Sequence, residues 1–157
     1  MFEPEIKTIQ PETVAYVEMK GPYAQIPEGY GRLYGWVAQH GLAPQGMPEA
    51  VYLTAPDQVP EDQAQWELWA PVADETAEQP ADESGCGVKR VGERVVASAM
   101  HTGPYETIAE TYEPLGQWLF GQGYTIAGPS EEVYFSDPEE VPPEEYLTEV
   151  RFPVAAR

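Results

Sequence analysis

Two glutamates in the sequence have the surroundings of a cation-binding carboxylate. Glu67 lies in the run Gln-Trp-Glu-Leu-Trp-Ala-Pro-Val and Glu149 in Leu-Thr-Glu-Val-Arg-Phe-Pro-Val, both of which are typical of strands. Side chains alternate along a strand, so Glu67 shares a face with Trp69 and Glu149 shares one with Arg151. If that face lies beneath helices, each carboxylate needs a partner, which a cationic, partly apolar ligand would supply. If the face is open to solvent, both glutamates are ordinary, and Arg151 is a competing partner for Glu149.

The aromatic residues favour a cation site. Ten tyrosines and four tryptophans supply ring faces that attract cations by roughly 0.5–2 kcal/mol each. Both glutamates are the candidate catalytic residues if the protein is an enzyme. The candidate ligand-binding residues combine these two with aromatic residues near the predicted helices and strands: Glu149, Glu67, Tyr105, Trp36, Trp118, Tyr23, Tyr112 and Trp69.

Other kinds of chemistry lack the residues they need. The single cysteine, Cys86, excludes an internal disulfide and a cysteine-based zinc site. The sequence has no cluster of metal ligands, no Gly-x-Ser-x-Gly motif and no glycine-rich phosphate loop. We therefore predict no metal and no cofactor.

The charge balance limits the partners of this protein. With 27 acidic against 8 basic residues, the net charge is −19, which opposes direct binding to nucleic acid and to anionic membranes. Cations and proteins with a basic face remain as partners. No apolar run approaches the ~20 residues of a membrane span, and the N-terminus does not resemble a signal peptide. We therefore expect a cytoplasmic location.

The sequence contains an internal repeat. Residues 5–73 align with residues 87–155 without a gap, and about one position in three is identical. Each half carries Gly-Pro-Tyr, at Gly21–Tyr23 and at Gly103–Tyr105. This pattern predicts one domain over residues 1–157, built from module one (5–73), a solvated acidic tether (74–86) and module two (87–155).

Each half predicts the same order of elements. Two β-rich segments precede the Gly-Pro-Tyr turn, and an apolar stripe at helical spacing follows it: Ile26, Tyr30, Leu33 and Val37 in the first half, Ile108, Tyr112, Leu115 and Leu119 in the second. Two more strands close each half. These strand–helix–strand–strand modules predict an α+β fold, with one antiparallel sheet and two helices on one face. Glu49 and Glu131 precede strands, and we interpret them as solvated.

The order of these motifs resembles the GyrI-like small-molecule-binding family, which includes the effector-binding domains of AraC/Rob-type and BmrR-type regulators. The residues that carry the resemblance are the two Gly-Pro-Tyr turns, the Val-Tyr strands and the closing Glu-x-x-x-Pro-Val. The resemblance implies a pocket at the junction of the modules for lipophilic, often cationic, aromatic compounds. It also implies a buried glutamate on the last strand as counter-charge, at Glu149, with Glu67 as its counterpart.

The resemblance leaves the activity open. No helix-turn-helix segment precedes Glu5, so the chain is similar to a stand-alone member of the family that does not read DNA itself. For such members the family offers binding of multidrug-type compounds, which we favour. It also offers hydrolysis of cyclopropanoid genotoxins in the same pocket, or inhibition of DNA gyrase as a protein partner.

Overall fold

The computed structural model describes residues 2–54, 59–136 and 140–157. Short 3₁₀ turns occupy Tyr23–Gln25, Glu61–Gln63, Tyr105–Thr107 and Pro143–Glu145. Among the described residues, no helix has the length and apolar character needed to cross a membrane. The strands and longer helices occur in this order: β1 (Glu5–Ile9), β2 (Glu12–Lys20), α1 (Ile26–Gln39), β3 (Glu49–Tyr52), β4 (Gln65–Val72), β5 (Cys86–Val91), β6 (Arg94–Thr102), α2 (Ala109–Gly121), β7 (Tyr124–Ile126), β8 (Ser130–Tyr134) and β9 (Leu147–Ala156).

The chain forms two compact units. The Glu67 unit consists of residues 11–92, and the Glu149 unit consists of residues 1–10 together with 93–157. The strands of the Glu67 unit follow the order β3-β4-β2-β5, and all their pairings are antiparallel. The strands of the Glu149 unit follow the order β1-β6-β9-β8, again antiparallel, and β7 also pairs with β9. Antiparallel strands and one helix in each unit confirm the predicted α+β class.

Each unit contains one strand that belongs, by sequence, to the other repeat; we call this the exchange of β1 and β5. Strand β1 belongs to the first repeat but pairs with β6 of the second, with Lys7 opposite Val96. Strand β5 belongs to the second repeat but pairs with β2 of the first, with Lys89 opposite Val14. These two registers occupy equivalent positions in the repeat. Each unit is therefore completed by a strand from the other half of the sequence.

In each unit the helix packs on one face of its strands. In the Glu149 unit, Leu115 and Leu119 of α2 form a buried cluster with Ala97, Ala99 and Val150, among others. The predicted apolar stripe is confirmed here, because Leu115 and Leu119 are both fully buried.

Helix α1 approaches its strands closely at a glycine. A Cβ atom at Gly29 would lie 2.6 Å from Cδ1 of Leu68 and 3.0 Å from Cε of Met19. Leu33 and Val37 are buried along the same helix. Leu68 and Met19 therefore define the face of the Glu67 unit that α1 covers.

The segment between the two repeats is ordered by contacts with the Glu67 unit. Gln79 forms a β-bridge with Val88, and the backbone N–H of Glu18 donates to the carbonyl of Gly85 at 2.9 Å. Asp82 accepts a hydrogen bond from the indole N–H of Trp36 at 2.7 Å. The acidic side chains of this segment are exposed, and its backbone is held by these hydrogen bonds.

Candidate functional site

Glu149 and Glu67 lie on the strand face that is turned away from the helix of their own unit. Val150 and Leu68, the residues that follow them, pack on the helix side. Side chains alternate along a strand, so Glu149 and Glu67 point to the opposite side, which we call the far face. Both carboxylates are nevertheless buried, with Glu149 only 2% exposed. Each must therefore be compensated on the far face.

Glu149 is compensated by two basic side chains. Nζ of Lys7 lies 2.5 Å from its Oε2, and Nη2 of Arg151 lies 3.0 Å from its Oε1. Ser98 donates a third hydrogen bond at 2.6 Å. Burial alone would raise the pKa of Glu149, but the bonds from Lys7, Ser98 and Arg151 outweigh it and hold the pKa below its usual value. The predicted competitor Arg151 is therefore a partner of Glu149, and Lys7 is a second one.

Glu67 has an internal cation of its own. Nζ of Lys89 lies 2.5 Å from Oε1 of Glu67, and the indole N–H of Trp69 donates to the same oxygen at 2.9 Å. The Lys89 ammonium also lies 4.6 Å from the ring centroid of Tyr16 and 5.3 Å from that of Trp69. The arrangement predicted for a ligand, a cation held by a carboxylate and aromatic rings, is formed here by a lysine of the protein.

The interpretation of Glu49 and Glu131 as solvated residues is wrong. Both are 3% exposed: Glu49 is the first residue of β3, and Glu131 lies within β8. Arg94 donates to Glu131 through Nε and Nη2, both at 2.8 Å, and Arg151 approaches it at 3.6 Å. Glu131 therefore belongs to the same far-face ion network as Glu149.

The Glu149 unit has a further buried carboxylate, Glu132, which lies on the helix side of the strands and not on the far face. It pairs in register with Val150, whose side chain packs against α2, and it is 6% exposed. The phenol of Tyr112 donates to its Oε2 at 2.5 Å, and the phenol of Tyr134 donates to its Oε1 at 2.7 Å. Glu132 is thus a buried carboxylate beneath a helix in aromatic surroundings, which is the environment that the sequence analysis expected for Glu149.

A group of tyrosine rings surrounds this carboxylate. Tyr105 stacks on Tyr146 with ring centroids 5.0 Å apart and contacts Tyr134 edge-on at 5.7 Å. Burial, with the nearby Tyr146 and Glu132, raises the pKa of Tyr105 above its usual value. Because Tyr105 is 38% exposed, its ring connects the buried carboxylate with the surface. We call Glu132, Tyr105, Tyr112, Tyr134 and Tyr146 the tyrosine–carboxylate site.

The equivalent place in the Glu67 unit has aromatic rings but no glutamate at the position of Glu132. Tyr23 contacts Tyr52 and Trp66 edge-on, at 5.2 and 5.7 Å between centroids. The position equivalent to Glu132 is Ala50, which is fully buried. A surface cavity of about 240 Å³ lies beside Tyr23 and is also lined by Val59, Glu61 and Ala64.

The predicted aromatic residues do not gather at one site in the structure. Tyr105 and Tyr112 meet at the tyrosine–carboxylate site, and Glu67 and Trp69 meet on the far face of the other unit. Trp118 packs against the buried cluster under α2. Trp36 stacks on His40 with centroids 3.9 Å apart. Among the described residues, no three His, Cys, Asp or Glu side chains are grouped as metal ligands.

Sequence comparison of the repeats could not find Glu132, because the first repeat has Ala50 there. A comparison that retains only the residues identical in both repeats misses a site that occurs in one repeat. The available signal was the pair Glu131-Glu132 within a strand. Successive strand residues point to opposite faces, so one of the two glutamates had to point toward the helix.

Comparisons with known proteins agree with this architecture. A family model described as the GyrI-like small molecule binding domain matches residues 2–155. No curated protein matches the chain. The C-terminal domain of EcmrR has a TM-score of 0.80 and 20% sequence identity, over 100% of this chain and 99% of that one. In the EcmrR–DNA complex the TM-score is 0.84 at 18% identity, over 99% of this chain but 58% of the EcmrR chain. This chain therefore spans less than two thirds of that relative.

Two further structures have the same fold. A hydrolase from Listeria innocua has a TM-score of 0.74 and 19% identity, over 98% of this chain and 92% of that one. A protein solved with bound tetraphenylphosphonium has a TM-score of 0.61 and 14% identity, over 98% of this chain and 94% of that one. At these identities the similarity shows the fold alone.

Proposed function

This chain belongs to the GyrI-like small-molecule-binding family, and we propose that it binds lipophilic, aromatic cations with the carboxylate of Glu132 as counter-charge. The observation that supports this proposal is the position of Glu132 on the helix side of its strand, where two phenols donate to it. A ligand cation offers Glu132 a full opposite charge in place of a neutral phenol. The attraction between two opposite charges is stronger in a buried site than in water, because the local dielectric constant is lower.

The surrounding rings select the shape and polarity of the ligand. Tyr105, Tyr134 and Tyr146 present ring faces and edges next to Glu132. A flat or aryl-substituted cation gains both ring contacts and cation–π attraction, which is worth ~0.5–2 kcal/mol for each ring. The net charge of −19 adds a long-range attraction that raises the local concentration of cations.

Access to Glu132 depends on the start of α2. Tyr112 lies on this helix, and Pro114 occurs two residues later inside it. Proline has no N–H, so the carbonyl of Glu110 lacks the helical hydrogen bond that residue 114 would otherwise donate. The turn that carries Tyr112 is therefore held less firmly than an ordinary helical turn. We infer that Tyr112 moves aside when a cation replaces its phenol at Glu132.

The residues predicted from the sequence are an alternative location for the counter-charge. A ligand at Glu149 would have to displace Lys7 or Arg151, and a ligand at Glu67 would have to displace Lys89. The displaced lysine or arginine would lose its carboxylate partner while its own side chain stays partly or largely buried. These positions are therefore less favourable for an external cation.

Binding of tetraphenylphosphonium and of a cationic rhodamine, measured by calorimetry and fluorescence, tests the proposal. We expect Glu132→Gln to weaken both ligands by about tenfold or more, equivalent to about 1.4 kcal/mol, since it removes the counter-charge but keeps the shape of the side chain. Glu149→Gln is the matched control, because Glu149 lies on the far face and not at the tyrosine–carboxylate site. With its folding checked by thermal unfolding, this variant should leave both affinities within about twofold. The reverse result would move the counter-charge to Glu149 and overturn the assignment to Glu132.

Hydrolysis is a second candidate function at the same site. The specific observation is that one carboxylate contacts two phenols, since a carboxylate can accept a proton from water while a nearby phenol donates one to a leaving group. A protein from Listeria innocua with the same fold is described as a hydrolase. Incubation with a cyclopropanoid alkylator, followed by mass spectrometry, would detect the hydrated product. If product never exceeds one equivalent of protein, the enzyme reading fails.

A further inference from the structure

The hydroxyl of Thr148 is buried beside the tyrosine–carboxylate site. Thr148 lies in β9 and pairs in register with Tyr134 on one side and with His101 on the other. Its side chain therefore points to the same face as Glu132 and Tyr134. Thr148 is fully buried, and in the described part of the chain its Oγ1 has no hydrogen-bond partner. A buried hydroxyl without a partner costs folding free energy, so this position calls for an explanation.

The equivalent residue in the first repeat shows how the position is filled when no polar group is required. That residue is Trp66, which is fully buried and donates its indole N–H to the carbonyl of Gly21 at 2.9 Å. Its ring also contacts Tyr23 edge-on. Thr148 replaces this large, satisfied side chain by a small, unsatisfied one. The same unit also replaces Ala50 by Glu132, so both changes occur at the site of the proposed counter-charge.

We propose that Thr148 determines ligand specificity, because its Oγ1 accepts a hydrogen bond from an N–H group of the bound cation. The preferred ligands are then aromatic cations that carry an N–H donor, such as amidinium cations or xanthylium dyes with secondary amino groups, rather than fully alkylated or arylated ones. This inference rests on the proposed binding function, since the opening of α2 that exposes Glu132 must also expose Thr148. A site that hydrogen-bonds its ligand discriminates strongly against analogues that lack the matching group.

Two rhodamine esters provide a matched pair of probes. In an N-ethyl rhodamine ethyl ester each xanthene nitrogen carries an N–H, whereas tetramethylrhodamine ethyl ester has none. We expect the wild-type protein to bind the first more tightly than the second. Thr148→Val, which is nearly isosteric but lacks the hydroxyl, should weaken the N–H dye by about three- to tenfold and leave the tetramethyl dye unchanged. Thr148→Ser keeps the hydroxyl and should preserve the preference.

The outcomes separate this inference from the proposed function. If Thr148→Val weakens both dyes equally or neither dye, the hydrogen bond is absent and this inference is overturned. If neither dye binds the wild-type protein, or if Glu132→Gln changes neither affinity, the proposed function fails as well. Thermal unfolding of each variant checks its folding, and Thr148→Ala provides a second hydroxyl-free variant should the valine variant be unstable.

Discussion

The ammonium of Lys7 lies 2.5 Å from Oε2 of Glu149, so the first strand of one repeat neutralises the last strand of the other. The equivalent residues of the repeat, Lys89 and Glu67, form the same contact at 2.5 Å with the roles of the halves reversed. Both lysines reach their partners because β1 and β5 are exchanged between the units. The exchange therefore supplies a cation to Glu149 in one unit and to Glu67 in the other.

Removal of the Lys7 ammonium should destabilise the protein. We expect Lys7→Met to lower the free energy of unfolding by about 1–3 kcal/mol, less than the loss of a sole partner, because Arg151 still compensates Glu149. Urea titration followed by circular dichroism would measure the loss. Lys20→Met is the control, since Lys20 is exposed at the end of β2. Equal stability of the two variants would show that the Lys7 pair contributes nothing.

Glu149 should make stability depend on acidic pH. Its pKa is lowered in the folded protein, so the native state binds fewer protons than the unfolded chain near the usual carboxyl range of about pH 4. The contribution is complete above that range and is lost as the pH falls through the lower pKa of the folded state. We expect Glu149→Gln to reduce the slope with which the free energy of unfolding falls as the pH is lowered. Urea titrations at successive acidic pH values would measure this slope. An unchanged slope would contradict this.

Gly29 and Gly31 should respond oppositely to alanine. A Cβ at Gly29 would lie 2.6 Å from Leu68, so Gly29→Ala should cost about 1–3 kcal/mol through overpacking. A Cβ at Gly31 meets nothing within 4 Å in the described structure, so Gly31→Ala should stabilise α1 by up to about 1 kcal/mol. The midpoints of thermal unfolding would report both changes. Two shifts of the same sign would show that the side chains of Leu68 and Met19 move aside for the added methyl group.

Asp82 should hold the segment between the repeats against α1. Hydrogen bonds from Ser84 and from the indole of Trp36 lower the pKa of Asp82 to about 2. We expect Asp82→Ala to increase amide hydrogen exchange in residues 74–85 and to change Trp36 fluorescence, because the anchor on the indole is lost. Glu83→Ala alters a neighbouring acidic residue and is the control. Exchange that rises equally in both variants would mean that Asp82 is not the anchor.

Much of the fold follows from local patterns in the sequence. The apolar stripes predict α1 and α2 because buried side chains recur at helical spacing, and Leu33 and Leu115 are fully buried as expected. Gly41 and Gly123, which end the stripes, adopt φ values of 70° and 90° that favour glycine. The order of motifs also indicated the GyrI-like family, which the family match confirms. The short strand β7 was missed, because three residues are too few for a periodic signal.

The candidate site needed the tertiary structure. Alternation along a strand indicates that Glu149 and Arg151 share a face, but it does not indicate which face a helix covers. That choice depends on packing between segments distant in sequence, as does the exchange of β1 and β5 that brings Lys7 to Glu149. The sequence by itself determined the fold class, the family and the type of group to seek, a buried carboxylate among aromatic rings. Only the tertiary structure showed that Glu132 occupies this environment, because long-range contacts decide burial and pairing.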